Sequence, residues 1–328
     1  MKDLIAGFAG QMKEAIEIGS KAHFTAPENE IRNILLIGLG GSAFGGEVTR
    51  NYVSSKCPVP FEIVRDYTVP GFVSEHTLLI ASSYSGNTEE TLSMLEAALP
   101  SKPKVVCVTS GGQLLERAKA NGWDHIVLPG GYPPRSAAGF SIIQQLFVLR
   151  GYGLIDDFSA DLDEAVHLVD HFEDEENARL IAEQLHEKIP ILYSSPAFES
   201  IAIRWRQQIE ENSKHIAFHH VIPEMNHNEL VGWKNPAGLL EDSSVVVLRS
   251  PLDHVRTQIR MDICREIFGD YADGVIEVNT AGENHLSQLF YLLHLGDWVS
   301  WFLAELNGED ATPVEVIDFL KGELAKHK

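Results

Sequence analysis

The chain has 328 residues, of which 44% are hydrophobic, so it can bury a large core and is long enough for two domains. Its 26 Lys and Arg residues against 47 Asp and Glu give a formal net charge of −21, which excludes nucleic acid and anionic membranes as expected partners. The three cysteines, Cys57, Cys107 and Cys264, form no CxxC pair, so neither a disulfide framework nor a zinc knuckle is expected.

Several features of the sequence predict the cellular compartment of the protein. No stretch approaches the ~20 apolar residues of a membrane-spanning helix. Residues 1–21 mix charges into an apolar stripe at helical spacing and lack the uninterrupted apolar run of a signal peptide. Together with the separated cysteines, these features predict a cytoplasmic protein.

From residue 31 the pattern alternates between apolar runs of strand length and amphipathic stretches of helix length. In the first half of the chain we predict strands at residues 33–40, 60–66, 76–83, 104–110 and 124–129. We predict helices at residues 40–55 (opened by a glycine loop), 89–99, 114–120 and 141–149. Continuous Val, Ile and Leu runs separated by helices are typical of a parallel sheet covered on both faces.

Residues 151–180 are acidic and poor in strand formers, so we predict a helical boundary region there. The alternation then resumes, with strands predicted at residues 189–195, 215–222, 244–250 and 274–279. The helices predicted in this half cover residues 197–214, 254–269, 287–306 and 312–326, the last starting at Thr312 or Pro313. The predicted fold class is α/β, with two doubly wound parallel-sheet domains and flanking helices, at residues 1–152 and 153–328.

A cluster of hydroxyls follows the predicted strand that ends near residue 82. The segment ASSYSGNTEET, residues 81–91, carries Ser82, Ser83, Ser85 and Thr88 around one glycine, just before a helix. One helix cap needs one hydroxyl, and here there are several. The pattern therefore favours an oxyanion cradle at the positive end of a helix over a plain cap.

The first glycine loop allows a rival interpretation. Gly38, Gly40 and Ala43 fit the G-x-G-x-x-A dinucleotide pattern, and Asp66 ends the next strand roughly where a ribose-binding acid belongs. A dinucleotide site does not require the hydroxyl cluster at the end of the third strand. Two anion-binding loops at neighbouring strand ends instead favour a crevice for one small phosphorylated molecule.

Several motifs carry a family resemblance. SSYSGNTEET resembles the phosphate loop of the sugar isomerase (SIS) family, and IGLGGSA resembles that family's first loop. Residues 133–140, 209–233 and 312–321 are similar to the bifunctional phosphoglucose/phosphomannose isomerases. The matches run from about residue 34 to residue 321. The resemblance implies two SIS-like domains that interconvert glucose 6-phosphate, and mannose 6-phosphate as well, with fructose 6-phosphate through a cis-enediol.

The resemblance also implies roles for individual residues. It places two residues of the first loop beside the substrate, three hydroxyls at the phosphate, an arginine near the reacting carbons, a glutamate as base, and a histidine and a lysine around the sugar ring. In that order these residues are Gly41 and Ser42; Ser83, Ser85 and Thr88; Arg135; Glu211; and His227 and Lys321.

The chemistry supports a single base. Moving a proton between C1 and C2 through a cis-enediol needs one carboxylate on one face of the substrate. Glu210 and Glu211 end an amphipathic helix, where carboxylates are disfavoured by the helix dipole, and this placement indicates function. The resemblance selects Glu211. Ring opening needs its own acid and base, for which His227 is the candidate, and Arg135 would stabilise the enediolate.

Other features have structural explanations. His219 and His220 lie in a predicted strand, Lys321 has further lysines nearby at a helix end, and residues 291–303 form an aromatic helix expected to pack as core or as a dimer face. No metal motif is present, and no cofactor or metal is expected.

Two alternative functions stay open. One is a non-catalytic sugar-phosphate-binding regulator, which would lack the base, and the other is a nucleotide-dependent oxidoreductase using the first glycine loop. The resemblance further implies a homodimer with the active site at the interface and the histidine contributed by the neighbouring subunit.

Overall fold

Two parallel β-sheets organise the chain, which a computed structural model describes from residue 1 to residue 327. The first sheet has five strands in the order β2-β1-β3-β4-β5, and every neighbouring pair is parallel. These strands are β1 (Asn33–Ile37), β2 (Phe61–Val64), β3 (Thr77–Ser82), β4 (Lys104–Thr109) and β5 (Asp124–Val127). The second sheet has four parallel strands in the order β7-β6-β8-β9. They are β6 (Ile189–Ser194), β7 (Phe218–Val221), β8 (Ser243–Arg249) and β9 (Gly274–Asn279).

The α-helices alternate with these strands. In the first half of the chain they are α1 (Lys2–Ala6), α2 (Phe8–Ser20), α3 (Gly40–Val53), α4 (Glu89–Ala98), α5 (Gly112–Asn121), α6 (Ala138–Gly151) and α7 (Ser159–Asp170). In the second half they are α8 (Glu175–Leu185), α9 (Glu199–Ser213), α10 (Glu229–Gly232), α11 (Ala237–Glu241), α12 (Val255–Gly269), α13 (His285–Asn307) and α14 (Glu315–Leu324). The alternation of strand and helix confirms the predicted α/β class.

Contacts group the chain into two units. The N-terminal unit comprises Ala6–His171 and Gly282–Leu289, and the C-terminal unit comprises Met1–Ile5, Phe172–Ala281 and the chain from Phe290 onward. The sequence predicts two independently folding domains, at residues 1–152 and 153–328. These limits stay a prediction.

The core of the N-terminal unit lies on both faces of its sheet. All six residues of β3 are buried, as expected for a central parallel strand covered by helices on both sides. On one face the strands pack against α4 and α5 through Leu79, Val105, Leu95 and Leu114. Helix α6 is buried from Ala138 to Leu149, because its sequence is apolar nearly all round.

The C-terminal unit has its own core around the second sheet. Tyr193 on β6 and Val247 on β8 pack with Met261 and Phe268 of α12. The rings of Tyr193 and Phe268 stack with their centroids 4.8 Å apart. From Phe290 to Ser300, α13 is buried, so the aromatic stretch predicted as packing is core within the chain rather than a free face for a dimer.

Two predictions about the helices have clear outcomes. The acidic stretch 151–180 is helical, as predicted, because α7 and part of α8 lie there. The last helix begins at Glu315 and not at Thr312 or Pro313. The backbone N–H of Thr312 donates to Asp310 Oδ1 at 2.8 Å, and this side-chain turn holds the residues before the helix in a non-helical path.

Candidate functional site

The hydroxyl cluster forms a loop at the carboxyl end of β3. Ser83 is buried, and its Oγ lies 2.8 Å from Thr88 Oγ1 and accepts a hydrogen bond from the N–H of Gly86 at 3.1 Å. Ser85 is exposed, and its Oγ accepts from the N–H of Asn87 at 3.2 Å. Thr88 is the N-cap residue of α4, yet its side chain makes no capping hydrogen bond. The hydroxyls are therefore directed into the loop, as a cradle requires, and not spent on capping the helix.

A second loop, after β4, supports the first one. Gly86 has a φ of +69°, and a Cβ added there would lie 1.8 Å from the carbonyl oxygen of Gly111. The N–H of Leu114 donates to the carbonyl of Gly86 at 2.9 Å, and the N–H of Gln113 donates to Asn87 Oδ1 at 3.1 Å. This supporting loop was not predicted from the sequence. Its signal was the Ser-Gly-Gly run that follows the strand at residues 104–109.

The first glycine loop lies beside the segment that carries Arg135. A Cβ on Gly41 would lie 2.7 Å from the carbonyl oxygen of Pro134, so glycine is required for this close approach. Ser42 Oγ accepts a hydrogen bond from the N–H of Tyr84 at 3.1 Å, which ties the first loop to the hydroxyl loop. Arg135 is buried in a single-turn helix, Pro134–Ala137.

These three segments meet at one place in the N-terminal sheet. A small cavity there is lined by Gly41, Ser42, Ser82, Tyr84, Leu128, Pro134, Ala137 and Ser141. It lies at the carboxyl ends of β1 and β3, where the strand order of the sheet reverses. In open α/β sheets this switch point is the usual ligand-binding crevice. The structure thus brings together the first loop, the hydroxyl loop and the Arg135 segment.

The corresponding switch point of the C-terminal sheet lies between β6 and β8. There the hydroxyl of Ser195 donates to the buried carboxylate of Asp253, and the N–H of Ser250 donates to its other oxygen at 3.1 Å. Burial raises the pKa of Asp253 above its usual range. The carboxylate of Asp253 therefore lies at the switch point of the second sheet. The equivalent position of the first sheet carries the hydroxyl loop.

Glu211 lies in the last turn of α9 and lines a cleft of about 890 Å³ in the C-terminal unit. The other face of α9 is fixed against α13. Arg204 forms a bidentate pair with Asp297 through bonds of 3.0 and 2.8 Å, and Asn212 Nδ2 donates to Ser300 Oγ at 2.9 Å. These buried bonds set the rotation of α9, so the face that carries Glu211 is directed toward the cleft. The cleft is lined by Arg206, Gln207, Glu210, Glu211, residues 214–216, Glu309, Asp310 and residues 313–317.

The neighbouring acid, Glu210, has a distinct environment. Arg206 Nη1 lies 3.2 and 3.0 Å from the two carboxylate oxygens of Glu210, one helical turn away. Arg206 Nε donates to His219 Nδ1 at 3.1 Å. Burial, reinforced by the Arg206 charge, lowers the pKa of His219 to about 4, so this imidazole is neutral near pH 7. Glu210 is thus committed to an ion pair, and His219 has the structural role predicted for it.

His227 is the last residue of a single-turn helix, Glu224–His227, and is exposed. The segment that carries it is anchored on both sides. Met225 is buried before it, and after it the hydroxyl of Tyr193 donates to Glu229, while Trp233 Nε1 donates to that hydroxyl at 3.1 Å. The backbone on both sides of His227 is therefore anchored, its side chain is exposed, and it is not among the residues that line the Glu211 cleft.

Lys321 is exposed on α14 and also does not line this cleft, although the first turn of α14 does. Of the residues predicted for the site, Gly41, Ser42, Ser83, Ser85, Thr88 and Arg135 thus lie on neighbouring segments of the N-terminal unit. Glu211, His227 and Lys321 lie on three separate elements of the C-terminal unit, and in the single chain His227 and Lys321 are outside the cleft of Glu211.

Across residues 1–327, no three His, Cys, Asp or Glu side chains converge in a way that could hold a metal ion. Over the same residues, no helix combines the length and the hydropathy needed to cross a membrane.

The fold matches that of solved sugar-phosphate enzymes. Tagatose-6-phosphate ketose/aldose isomerase from Escherichia coli superposes with a TM-score of 0.67 at 18% identity, over 92% of this chain and 89% of that chain. Residues 174–324 match the family model described as the bacterial phospho-glucose isomerase C-terminal SIS domain. The chain therefore has two parallel α/β sheets, and its C-terminal part matches an SIS domain.

Two relatives define the family more closely. Both are described as bifunctional phosphoglucose/phosphomannose isomerases, and each is 40% identical to this chain. The relative from Caldicellulosiruptor bescii is matched over 97% of both chains, and the relative from Aquifex aeolicus over 90% of this chain and 91% of its own length. The chain belongs to the bifunctional phosphoglucose/phosphomannose isomerase family.

Proposed function

We propose that this chain is an aldose–ketose isomerase that interconverts glucose 6-phosphate and mannose 6-phosphate with fructose 6-phosphate. The observation that carries the proposal is Glu211, a carboxylate lining an open cleft in a member of this family. Its neighbour Glu210 is paired with Arg206, one helical turn earlier on α9. The hydroxyl loop after β3 supports a phosphorylated substrate, because hydroxyls and a helix N-terminus bind phosphate without a net positive charge.

In the proposed reaction Glu211 removes the proton from C2 of the open-chain aldose phosphate. The electron pair of the C2–H bond forms the C1–C2 double bond, and the carbonyl oxygen takes up a proton to give the cis-enediol. The same carboxyl group returns its proton to C1, and the C2 hydroxyl loses its proton as the ketone forms. Protons move within one substrate, so the proposal requires no redox cofactor and no metal.

Other residues have supporting roles in this proposal. Ser83, Ser85 and Thr88 hold the phosphate, and Gly41 and Ser42 contact the substrate through the first loop. The guanidinium of Arg135 stabilises the negative charge of the enediolate. His227 opens the sugar ring by acid–base catalysis, and Lys321 binds the substrate near the ring.

A coupled assay with each sugar phosphate tests the activity, and a pair of adjacent variants tests the base. We expect Glu211→Gln to lower turnover by about 10²–10⁴-fold, the usual contribution of a positioned acid–base group. Glu210→Gln is the matched control, since it changes the next residue of the same helix and should retain most of the activity. Exchange of the C2 hydrogen with deuterated water, followed by NMR, reports the proton transfer directly. Wild-type exchange in Glu211→Gln would remove Glu211 from the role of base.

We also propose that the active form is a homodimer and that His227 acts on the neighbouring subunit. His227 is exposed and absent from the lining of the Glu211 cleft in its own chain, which supports action on a partner. Light scattering after size-exclusion chromatography measures the mass. Mixing inactive Glu211→Gln and His227→Ala chains should restore about a quarter of the wild-type activity, because random pairing gives half heterodimers, each with one intact site. A fully active monomer would contradict the shared site.

The proposed location is the cytoplasm. Cys57, Cys107 and Cys264 are all free thiols in the structure, which fits a reducing compartment. Cell fractionation followed by the isomerase assay tests this proposal, and activity confined to the membrane or the exterior would contradict it.

A further inference from the structure

Tyr84 lies in the middle of the hydroxyl loop and joins it to three other segments of the N-terminal unit. The N–H of Tyr84 donates to Ser42 Oγ of the first loop at 3.1 Å. Its carbonyl oxygen accepts from the N–H of Ser110 at 2.9 Å and from the Ser110 hydroxyl at 2.6 Å, in the loop after β4. The third connection is made by the phenol hydroxyl, which reaches the segment after β5. Tyr84 also lines the cavity at the switch point, and the proposed function leaves it without a role.

The phenol hydroxyl closes a bend at residues 129–132, which we name the glycine bend. The Tyr84 hydroxyl donates to the carbonyl oxygen of Pro129 at 2.7 Å and accepts from the N–H of Tyr132 at 3.0 Å. Between these two residues lie Gly130 and Gly131, both exposed. Glycine has more backbone freedom than any other residue. Within residues 1–327 no other hydrogen bond holds the backbone of the glycine bend, so the Tyr84 hydroxyl takes the place of the backbone bond of an ordinary turn.

The glycine bend leads directly into the segment that carries Arg135. Only Pro133 and Pro134 separate Tyr132 from Arg135, and the fixed φ of proline leaves little freedom to absorb a displacement. On its other side this segment is packed against the first loop, since a Cβ on Gly41 would lie 2.7 Å from the carbonyl oxygen of Pro134. A shift of Tyr132 is therefore passed on to Arg135.

We propose that Tyr84 is a positioning residue for the isomerase reaction. Its hydroxyl sets the glycine bend, and thereby the position of the Arg135 guanidinium relative to the hydroxyl loop. The group that stabilises the enediolate and the groups that bind the phosphate are thus held at the spacing that one sugar phosphate requires. This inference rests on the proposed function, in which Arg135 has that role, and Tyr84 acts through Arg135 rather than on the reacting carbons.

The kinetic test removes only the hydroxyl. Tyr84→Phe keeps the ring and the backbone bonds to Ser42 and Ser110, so the hydroxyl loop stays in place. Stabilisation of the enediolate is realised only in the transition state, so its loss lowers kcat and leaves KM nearly unchanged. We expect kcat to fall about 10–100-fold for each sugar phosphate and KM to stay within about 2-fold. An unchanged kcat, or a loss that lies wholly in KM, would overturn the positioning role.

Tyr152→Phe is the matched control. The Tyr152 hydroxyl donates to Asp124 Oδ2 at 2.6 Å, and Tyr84 and Tyr152 are both half-buried in the N-terminal unit. Asp124 begins β5, so this contact lies at the amino end of the sheet, away from the switch point. The control should lower the melting temperature and leave kcat and KM unchanged. If it reduced kcat as much as Tyr84→Phe does, general loosening of the unit would explain the kinetic loss, and the positioning role would fail.

Amide hydrogen exchange followed by NMR tests the glycine bend without substrate. In Tyr84→Phe the N–H of Tyr132 loses its acceptor and should exchange about 10-fold faster or more. The N–H of Leu128, which donates to the carbonyl oxygen of Thr109 at 2.9 Å, should keep its rate. Equal exchange of the Tyr132 amide in the two proteins would overturn the inference. The isomerase proposal fails by a different result, namely wild-type protein that turns over none of the three sugar phosphates.

Discussion

Replacing Gly86 by alanine tests whether the hydroxyl loop is held in place by the loop after β4. The residue has a φ of +69°, a conformation that costs an alanine about 1 kcal/mol. Its added Cβ would also lie 1.8 Å from the carbonyl oxygen of Gly111, whereas real Cβ contacts do not fall below 3.0 Å. The two loops must therefore separate by about 1 Å, and a misplacement of that size in a substrate-positioning group can cost about 10²-fold in rate.

Gly122 provides the matched control for this change. Its φ is +67°, and a Cβ added there would meet no atom within 4 Å. Gly122→Ala therefore carries the backbone cost without the collision. It should lower the melting temperature by about 2–4 °C and leave the kinetics unchanged. Gly86→Ala should lower the melting temperature further and reduce kcat/KM about 10²-fold, mainly through KM for the sugar phosphate.

The coupled isomerase assay and a thermal unfolding scan on both variants decide the outcome. If Gly86→Ala has the same melting temperature as Gly122→Ala and keeps the wild-type KM, the loop after β4 does not hold the hydroxyl loop. In that case the phosphate is bound elsewhere. Gly112→Ala approaches the same contact from the other side, since its Cβ would lie 2.5 Å from the carbonyl oxygen of Ser85. It should reproduce the kinetic loss of Gly86→Ala.

Three further predictions concern the phosphate, the anchoring of α9 and the pH dependence of stability. Replacing both Ser83 and Thr88 by alanine should raise KM strongly in a folded protein, because each lost charge-assisted hydrogen bond costs about 1.5–3 kcal/mol; an unchanged KM would place the phosphate elsewhere. Asp297→Ala should lower the free energy of unfolding by about 3–5 kcal/mol in denaturant titrations, since it removes the carboxylate that pairs with the buried charge of Arg204; a loss below 1 kcal/mol would contradict this. Burial lowers the pKa of His294 to about 4, below its unfolded value near 6.5, so the unfolded state binds more protons and the free energy of unfolding should fall as pH drops from about 6.5 to 4. The loss should reach about 3 kcal/mol at most and be smaller in His294→Gln, and equal pH profiles for the two proteins would refute it.

The secondary structure and the hydroxyl loop followed from the sequence because their causes are local. Buried parallel strands are continuous Val, Ile and Leu runs, and each of the nine predicted strands overlaps a strand in residues 1–327. The hydroxyl loop between Ser83 and Thr88 was predicted because several hydroxyls stand where one helix cap would suffice, and its role as an anion cradle stays a prediction. The start of the last helix did not follow from the sequence. A side-chain turn at Asp310 moves it from the predicted Thr312 or Pro313 to Glu315.

The environment of Glu210 combines one local contact with one tertiary contact. In the sequence Glu210 and Glu211 are equivalent, and the resemblance alone selected Glu211. In the structure Arg206 pairs with Glu210 and donates to His219, a residue that reaches α9 only because β7 lies beside it. The Arg206–Glu210 pair is an i,i+4 pair within α9, which sequence spacing can predict, whereas the contact with His219 joins α9 to β7 and needed the structure.

The sequence by itself determined the α/β class and the order of strands and helices, and the residue types for phosphate binding and proton transfer stay a prediction. Tertiary structure alone decided which apolar surfaces are inside. The aromatic stretch at residues 291–303 had been a candidate for a dimer face, and it is core, whereas α12 and α14 expose rows that their sequences do not distinguish from buried ones. The physical reason is that a helix with apolar residues on two faces has the same hydrophobic pattern whichever face the sheet covers, and only packing selects between them.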